Sequence, residues 1–280
     1  MLKFKSIIIA FNVVIAFFLA FVFLIPFIVL GRDAAVILWQ SSWSFGPALL
    51  LLLIGMDLYF ALNYRVFLLL EKEDWPALVQ ELENRVLRKK NYTPRLVKLL
   101  ANSYLVLSDA VSVNALERKL TVARPALVNA NALVFGAARI LAQDNRGAVE
   151  FFEDRLPGTG TRSPKVSGAD REWLSWYHGF ALLLNRQFGP AAERFSRFAE
   201  TSGDGILTGL SSYFIDDTLR KFLPEKTLSL AGKALEGKER VRKALKNRTD
   251  WNREVKRLET EVHAVVLTHY IEKAANYVYS

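Results

Sequence analysis

The apolar run from Ile7 to Leu30 constrains this chain more than any other feature: its 24 residues include no charge, and a core helix needs far less. As a helix the run measures ~36 Å against a hydrocarbon thickness of ~30 Å, so it can cross a bilayer with some tilt. A signal peptide has a shorter apolar region and a small-residue cleavage site. No such site occurs before Gly31, so the run reads as retained. Pro26 is expected to kink its distal third. A second apolar stretch lies from Pro47 to Leu70, with Pro47 in the first turn of a helix beginning near Phe45. The connection from Gly31 to Ser44 carries Arg32, Asp33 and two tryptophans, Trp39 and Trp43, where an interfacial aromatic belt would sit.

Lys3 and Lys5 precede the first run. Arg65, Lys72, Arg85, Arg88, Lys89 and Lys90 follow the second, and only Arg32 stands between. The positive-inside bias then predicts an inner or plasma membrane protein with both termini in the cytoplasm. Residues 1–70 form the expected transmembrane hairpin, with spans at about 7–30 and 45–64. Asp57 is its costly residue, because an ionised acid near mid-span costs ~2.5–3.5 kcal/mol. Counted from the cytoplasmic ends, Asn12 and Asp57 both lie ~8–9 Å deep, which predicts a hydrogen bond across the hairpin. The alternatives are a shifted span that lets Asp57 reach the headgroups near Arg65, and a role in conducting ions or protons.

Beyond residue 70 apolar and charged positions alternate with helical spacing, and strand alternation is nowhere sustained, so the class is all-α. Asp74, Thr93 and Asp109 are placed to cap helices opening at Trp75-Pro76, at Pro94 and just after Asp109. Pro125, the Pro157–Gly168 loop, Pro190 and Pro224 mark further breaks. Cysteine is absent, which excludes disulfides and thiolate-bound zinc or iron–sulfur clusters.

Two segments repeat each other. Gly136, Ala138, Ala148 and Phe152 share their mutual spacing with Gly179, Ala181, Ala191 and Phe195. Small residues in facing helices with an aromatic one turn further on let two antiparallel helices approach closely and fill the gap. The pattern resembles the tetratricopeptide repeat (TPR), and Phe188 matches that family's aromatic before the second helix. Upstream, Ala101 and Tyr104 resemble a first helix whose partner, around Val113 to Leu120, fits only with a one-residue slip. Trp75 and Leu82 suit a second helix whose first helix would be the end of the membrane span, and Gly209 with Tyr213 resembles a last, degenerate repeat. The resemblance implies an α-solenoid over residues 71–223 that binds other proteins through a concave groove and does not catalyse. The Trp173, Trp176, Tyr177 and Phe180 cluster reads as repeat packing, with peptide binding the alternative for any of these rings that stay off the buried side.

Residues 224–280 read as two helices, Pro224–Leu245 and Trp251–Tyr279; the second carries an apolar stripe of Trp251, Val255, Leu258, Val262, Val265, Val266, His269 and Tyr270 that either caps the solenoid or, left exposed, dimerises. The chain's formal net charge is +9, and much of the excess lies here. Lys238, Arg240, Arg242, Lys243, Lys246 and Arg248 form either a solvated face or a contact for anionic headgroups. Trp251 is the lone aromatic between Lys233 and Arg257, which argues against a nucleic-acid platform. No catalytic, cofactor or metal constellation emerges: His263 and His269 are off the i, i+4 spacing, His178 sits at a buried repeat position, and the Gly158–Ser163 stretch lacks the lysine of a phosphate loop. Asp216-Asp217 reads as a solvated helix face. The expectation is a membrane-anchored TPR-like scaffold, or else a structural subunit of a larger envelope complex for secretion, transport or motility.

Overall fold

A computed structural model describes residues 4–41, 44–156, 168–258 and 261–280. Lys3, Trp43 and the loop from Pro157, with its glycine-rich stretch, lie outside the described residues. The chain divides into two compact units, Met1–Leu82 and Glu83–Ser280. The described elements are all helical, without a strand among them.

The first unit opens with α1 (Phe4–Leu30), which continues through Pro26. Gly31 takes φ +78° and α2 (Arg32–Ser41) follows, so the expected short connection is largely a helix, with Asp33 suiting its first turn. α3 (Phe45–Glu71) comes next. The backbone from Tyr64 to Trp75 is helix followed by a tight turn at Lys72–Asp74, where Asp74 caps α4 (Trp75–Glu83) by accepting from the Ala77 amide at 3.2 Å. α1 and α3 are long and apolar enough to cross a membrane, and their apolar side chains are exposed: Phe17 by 74% and Leu51 by 68%.

The second unit is a succession of helix pairs. After a π-helical turn at Asn84–Arg88 come α5 (Pro94–Val106), α6 (Ala110–Ala123), α7 (Pro125–Ala130), α8 (Ala132–Leu141), α9 (Asn145–Glu153), α10 (Gly168–Leu184) and α11 (Phe188–Thr201). α12 (Gly205–Phe214) runs through a π-helical turn into the short α13 (Arg220–Phe222), and α14 (Thr227–Ala244) follows. The expected single helix over Trp251–Tyr279 is divided into α15 (Arg248–Leu258), a 3₁₀ segment at Val262–Leu267 and α16 (Thr268–Tyr279). The break falls at a valine-rich stretch, where β-branching weakens the α-helix, and it turns His263, Ala264 and Leu267 inward.

One turn recurs through the chain. Glu73, Ser108, Gln143 and Arg186 all adopt φ of 54–59°, and each donates to the carbonyl three residues back while the next amide reaches five back. This is the left-handed C-terminal cap of a helix, joined directly to the start of the next. Seven residues before it stand Val66, Ala101, Gly136 and Gly179; five after stand Leu78, Val113, Ala148 and Ala191; nine after stand Leu82, Glu117, Phe152 and Phe195. All twelve are buried. The α5–α6 pair therefore fits without the one-residue slip, because Glu117, not an apolar residue, holds the plug position. Asp109 caps α6 through the Ser112 amide at 3.0 Å, whereas Thr93 makes no side-chain cap.

The plug is tight in one pair and loose in the next. A Cβ added at Gly136 would lie 2.1 Å from Cζ of Phe152, whose ring is fully buried. At Gly179 the nearest atoms, on Arg194 and Phe195, are 3.3 Å away. Gly136→Ala is expected to cost ~1–3 kcal/mol by overpacking, while Gly179→Ala gains up to ~1 kcal/mol of helix propensity against a mild contact. Urea midpoints of the two variants test this; equal shifts would contradict it.

Candidate functional site

The α10 sequence places Arg171, Ser175, His178 and Leu182 along one stripe, three or four residues apart, and Asn185 follows just past the helix end. That stripe is the floor of two adjoining clefts of about 640 and 550 Å³. α9 forms one wall with Val149, Glu150 and Glu153, and α11 forms the other with Glu193, Arg194 and Arg197. His178 is only 5% exposed, and neither ring nitrogen has a hydrogen-bond partner. Burial draws its pKa down to about 4, the Arg194 charge acting in the same direction. Arg194 is half-buried and donates to the Ser175 hydroxyl at 2.9 Å. Burial lowers its pKa first, then the charge of Arg197, with Glu153 opposing. The cleft thus offers a neutral imidazole and guanidinium donors beside carboxylates, a surface suited to a polar segment of mixed charge.

The opposite side of the helix pairs is covered by the chain itself. The 3₁₀ segment packs on α5 and α8, and α16 packs on α12 and α14. His263 lies against Trp173 and Tyr177, and Tyr270 lies against Phe180 and Phe214. The Tyr177 hydroxyl donates to the His263 carbonyl at 2.9 Å, so it accepts from Nδ1 of the same residue at 3.1 Å, which fixes the proton on Nδ1. Trp173, Trp176, Tyr177 and Phe180 are all buried.

Burial also takes His263 down to about 4, Asp170 opposing and Lys98 assisting. In the unfolded chain a histidine titrates near ~6.5. Folded His178 and His263 stay neutral where the unfolded chain takes up protons, so their contribution is complete above that value and is lost as pH falls toward 4. His263 alone accounts for up to ~3 kcal/mol of the loss. Denaturation of the Glu83–Ser280 unit between pH 7 and pH 4.5 measures the slope, and His263→Gln should flatten it; an unchanged slope in that variant would contradict the assignment.

In the first unit Asn12 Nδ2 donates to Asp57 Oδ1 at 3.1 Å. Asp57 is otherwise exposed. The repeat-signature residues Gly136, Ala138, Ala148, Phe152, Gly179, Ala181, Ala191 and Phe195 are buried, and Phe188 stacks on Phe222 at 4.2 Å. Most of the basic stretch is engaged with the protein. Arg240 donates to the carbonyls of Ala199 and Ser202, and Arg242 to those of Val278 and Ser280. Arg248 bonds Asn276 and Glu272, and Lys238 lies 4.8 Å from the Tyr277 ring centre. Lys243 and Lys246 are exposed. Asp216 and Asp217 pair with Arg220 and Lys221 one turn on. Among the described residues no cluster of three metal-ligating side chains occurs. The α10 cleft was missed in the sequence, although a polar stripe on an otherwise apolar helix was the available signal.

The chain belongs to the family described as "Uncharacterised Treponema protein", whose model matches residues 112–280. It is similar to a protein of Treponema pallidum (strain Nichols) described as "Uncharacterized protein", 26% identical over 228 residues that cover 80% of this chain and 68% of the other. No solved structure matches.

Proposed function

We propose that this protein is a membrane-anchored, TPR-like docking scaffold, held by a two-span hairpin at the inner or plasma membrane with both termini in the cytoplasm. The observation that carries the anchor is the exposure of apolar side chains along both long helices, including Phe17, Leu51 and Leu52. Water would penalise so extensive an apolar surface, and a bilayer would not. The recurring left-handed turn and the Gly136–Phe152 and Gly179–Phe195 pairs support the TPR-like reading of the second unit. Since residues 262–279 fill one side of the helix pairs, docking falls to the α10 cleft, whose buried, unpartnered His178 is left to a partner's polar group. Recognition of proteins, without catalysis, cofactor or nucleic acid, is the role this surface suits. Anionic headgroups remain partners for Lys243 and Lys246.

The full chain in detergent and a piece from residue 72 to Ser280 serve as paired baits. Partners kept by the soluble piece, and lost on His178→Ala, are expected. Reproducible turnover of a substrate by that piece would overturn the scaffold reading.

The exposed Asp57, bonded through one oxygen, favours a second reading: a structural subunit of a larger envelope complex for secretion, transport or motility that meets membrane partners through the hairpin. Partners captured only with the hairpin would support it. Asn12→Leu and Asp57→Leu, singly and together, measure the polar pair: a coupling of ~0.5–1.5 kcal/mol is expected, and additive losses would show that the two side chains act separately.

A further inference from the structure

α2 runs back along α1. Trp39 stacks on Phe23 with ring centres 4.5 Å apart, and the two stand eight residues either side of Gly31, whose φ of +78° makes the reversal. α3 begins at the same level, since a Cβ on Gly46 would lie 3.2 Å from the Phe23 ring. Eleven residues on, Asp57 meets Asn12, eleven before Phe23, so α1 and α3 keep one antiparallel register. Continued toward the cytoplasmic end, that register brings Arg65 level with Phe4, one residue before Lys5 in the sequence.

From this basic level, Phe23, Trp39 and Gly46 lie ~28 Å away and Gly31 lies ~40 Å away at the helical rise. A bilayer is ~30 Å of hydrocarbon within ~40–45 Å overall. With Arg65 among one set of headgroups, only Gly31, Arg32 and Asp33 reach the other set. The rest of α2 then lies below the far boundary, as does the start of α3. The exposed side chains agree: Ile28 is 79% exposed, Val29 72% and Ile37 66%. Were the loop in water, these faces would be bare. At this depth Pro47 has no amide to satisfy and Gln40 lines the cleft beside Gly46 and Pro47, and the buried Trp39 Nε1, in the same lining, is the polar group left without a partner among the described residues.

We infer that α2 is a re-entrant helix: the link between the two spans turns back into the distal leaflet, and acyl chains cover its Val36 and Ile37 face. This rests on the two-span reading. The test uses the natural absence of cysteine. Asp33→Cys, Ile37→Cys, Val36→Cys and Leu52→Cys are made singly in the full chain, reconstituted in phosphatidylcholine vesicles and freeze–thawed with a polar maleimide so that both faces are reached. A thiol in hydrocarbon does not ionise and reacts slowly. Cysteine at 33 is expected to label at least tenfold faster than at 36, 37 or 52, with all four equal after denaturation. Labelling at 36 and 37 as fast as at 33, with 52 protected, would overturn the re-entrant helix and leave the spans intact. Rapid labelling at 52 would overturn the spans, and the inference with them.

Discussion

Trp176→Ala is expected to destabilise the second unit by ~3–5 kcal/mol, enough to leave much of it unfolded near 37 °C, because whole domains hold only ~5–15 kcal/mol. Trp176 is fully buried and stands among Phe180, Phe195 and Phe214, at ring-centre distances of 5.5, 5.6 and 6.2 Å. Its indole donates to the Ser211 hydroxyl at 2.9 Å, so truncation opens a cavity and also strips a buried hydroxyl of its donor. Trp176→Phe separates the two effects, since it keeps most of the volume and loses the hydrogen bond, and ~1–3 kcal/mol is expected. Urea denaturation of the Glu83–Ser280 unit measures both. A loss below 1 kcal/mol for the alanine variant would mean that this cluster is not the centre of the packing.

The second large effect concerns Glu117, which holds the plug position of the α5–α6 pair where later pairs have Phe152 and Phe195. Glu117 is buried, its side chain 7% exposed, and its carboxylate accepts twice from Arg139 Nη2, at 2.9 and 3.0 Å. Removing the guanidinium leaves a buried carboxylate without its hydrogen-bonded partner, so Arg139→Met should cost ~3 kcal/mol, the low end for a broken buried pair. The loss stays at that low end because Arg155 also feels the Glu117 charge. Glu117→Met in the same background should recover most of the loss, since two apolar side chains can replace a buried ion pair at little cost. A double variant no better than Arg139→Met would show that shape, not charge, sets the penalty.

Glu117 also shows why part of the fold was hard to read. Gly136 and Gly179 with their aromatic partners were legible because the small-to-large contact needs those residue types at that spacing. The α5–α6 pair obeys the same geometry, but an ion pair fills the gap there, so the repeat pattern fits its sequence only with a one-residue slip. The turn that unites the pairs was hidden for a different reason: Glu73, Ser108, Gln143 and Arg186 share a backbone conformation and no side-chain chemistry. Their spacing of 35, 35 and 43 residues is plain once φ is known. α2 was hidden by its length, since ten residues with two charges at one end read equally well as a loop. The α10 cleft needed the third dimension, because Ser175 and His178 belong to one helix while Arg194 and Arg197 come from the next.

The C-terminal segment changes what the helix pairs can offer. An apolar stripe over Trp251–Tyr279 predicted a cap; of that stripe Trp251 is buried while Val265 and His269 are exposed, and the residues that bury instead are Leu267, Ile271, Ala274 and Val278. The 3₁₀ break, however, carries His263 and Tyr270 across α10 and α12 as well. Arg240 and Arg242 then tie α14 to the loop after α11 and to the end of α16 through backbone carbonyls, which is where much of the basic excess is spent.

Protease protection addresses the anchor and its orientation together. The full chain, with an epitope after Ser280, is expressed in bacteria converted to sealed spheroplasts and treated with protease before and after lysis. A two-span hairpin with both termini in the cytoplasm predicts an epitope that pellets with membranes, resists protease in sealed spheroplasts and is lost on lysis. Loss of the epitope from sealed spheroplasts, or its release into the soluble fraction at alkaline pH, would contradict it.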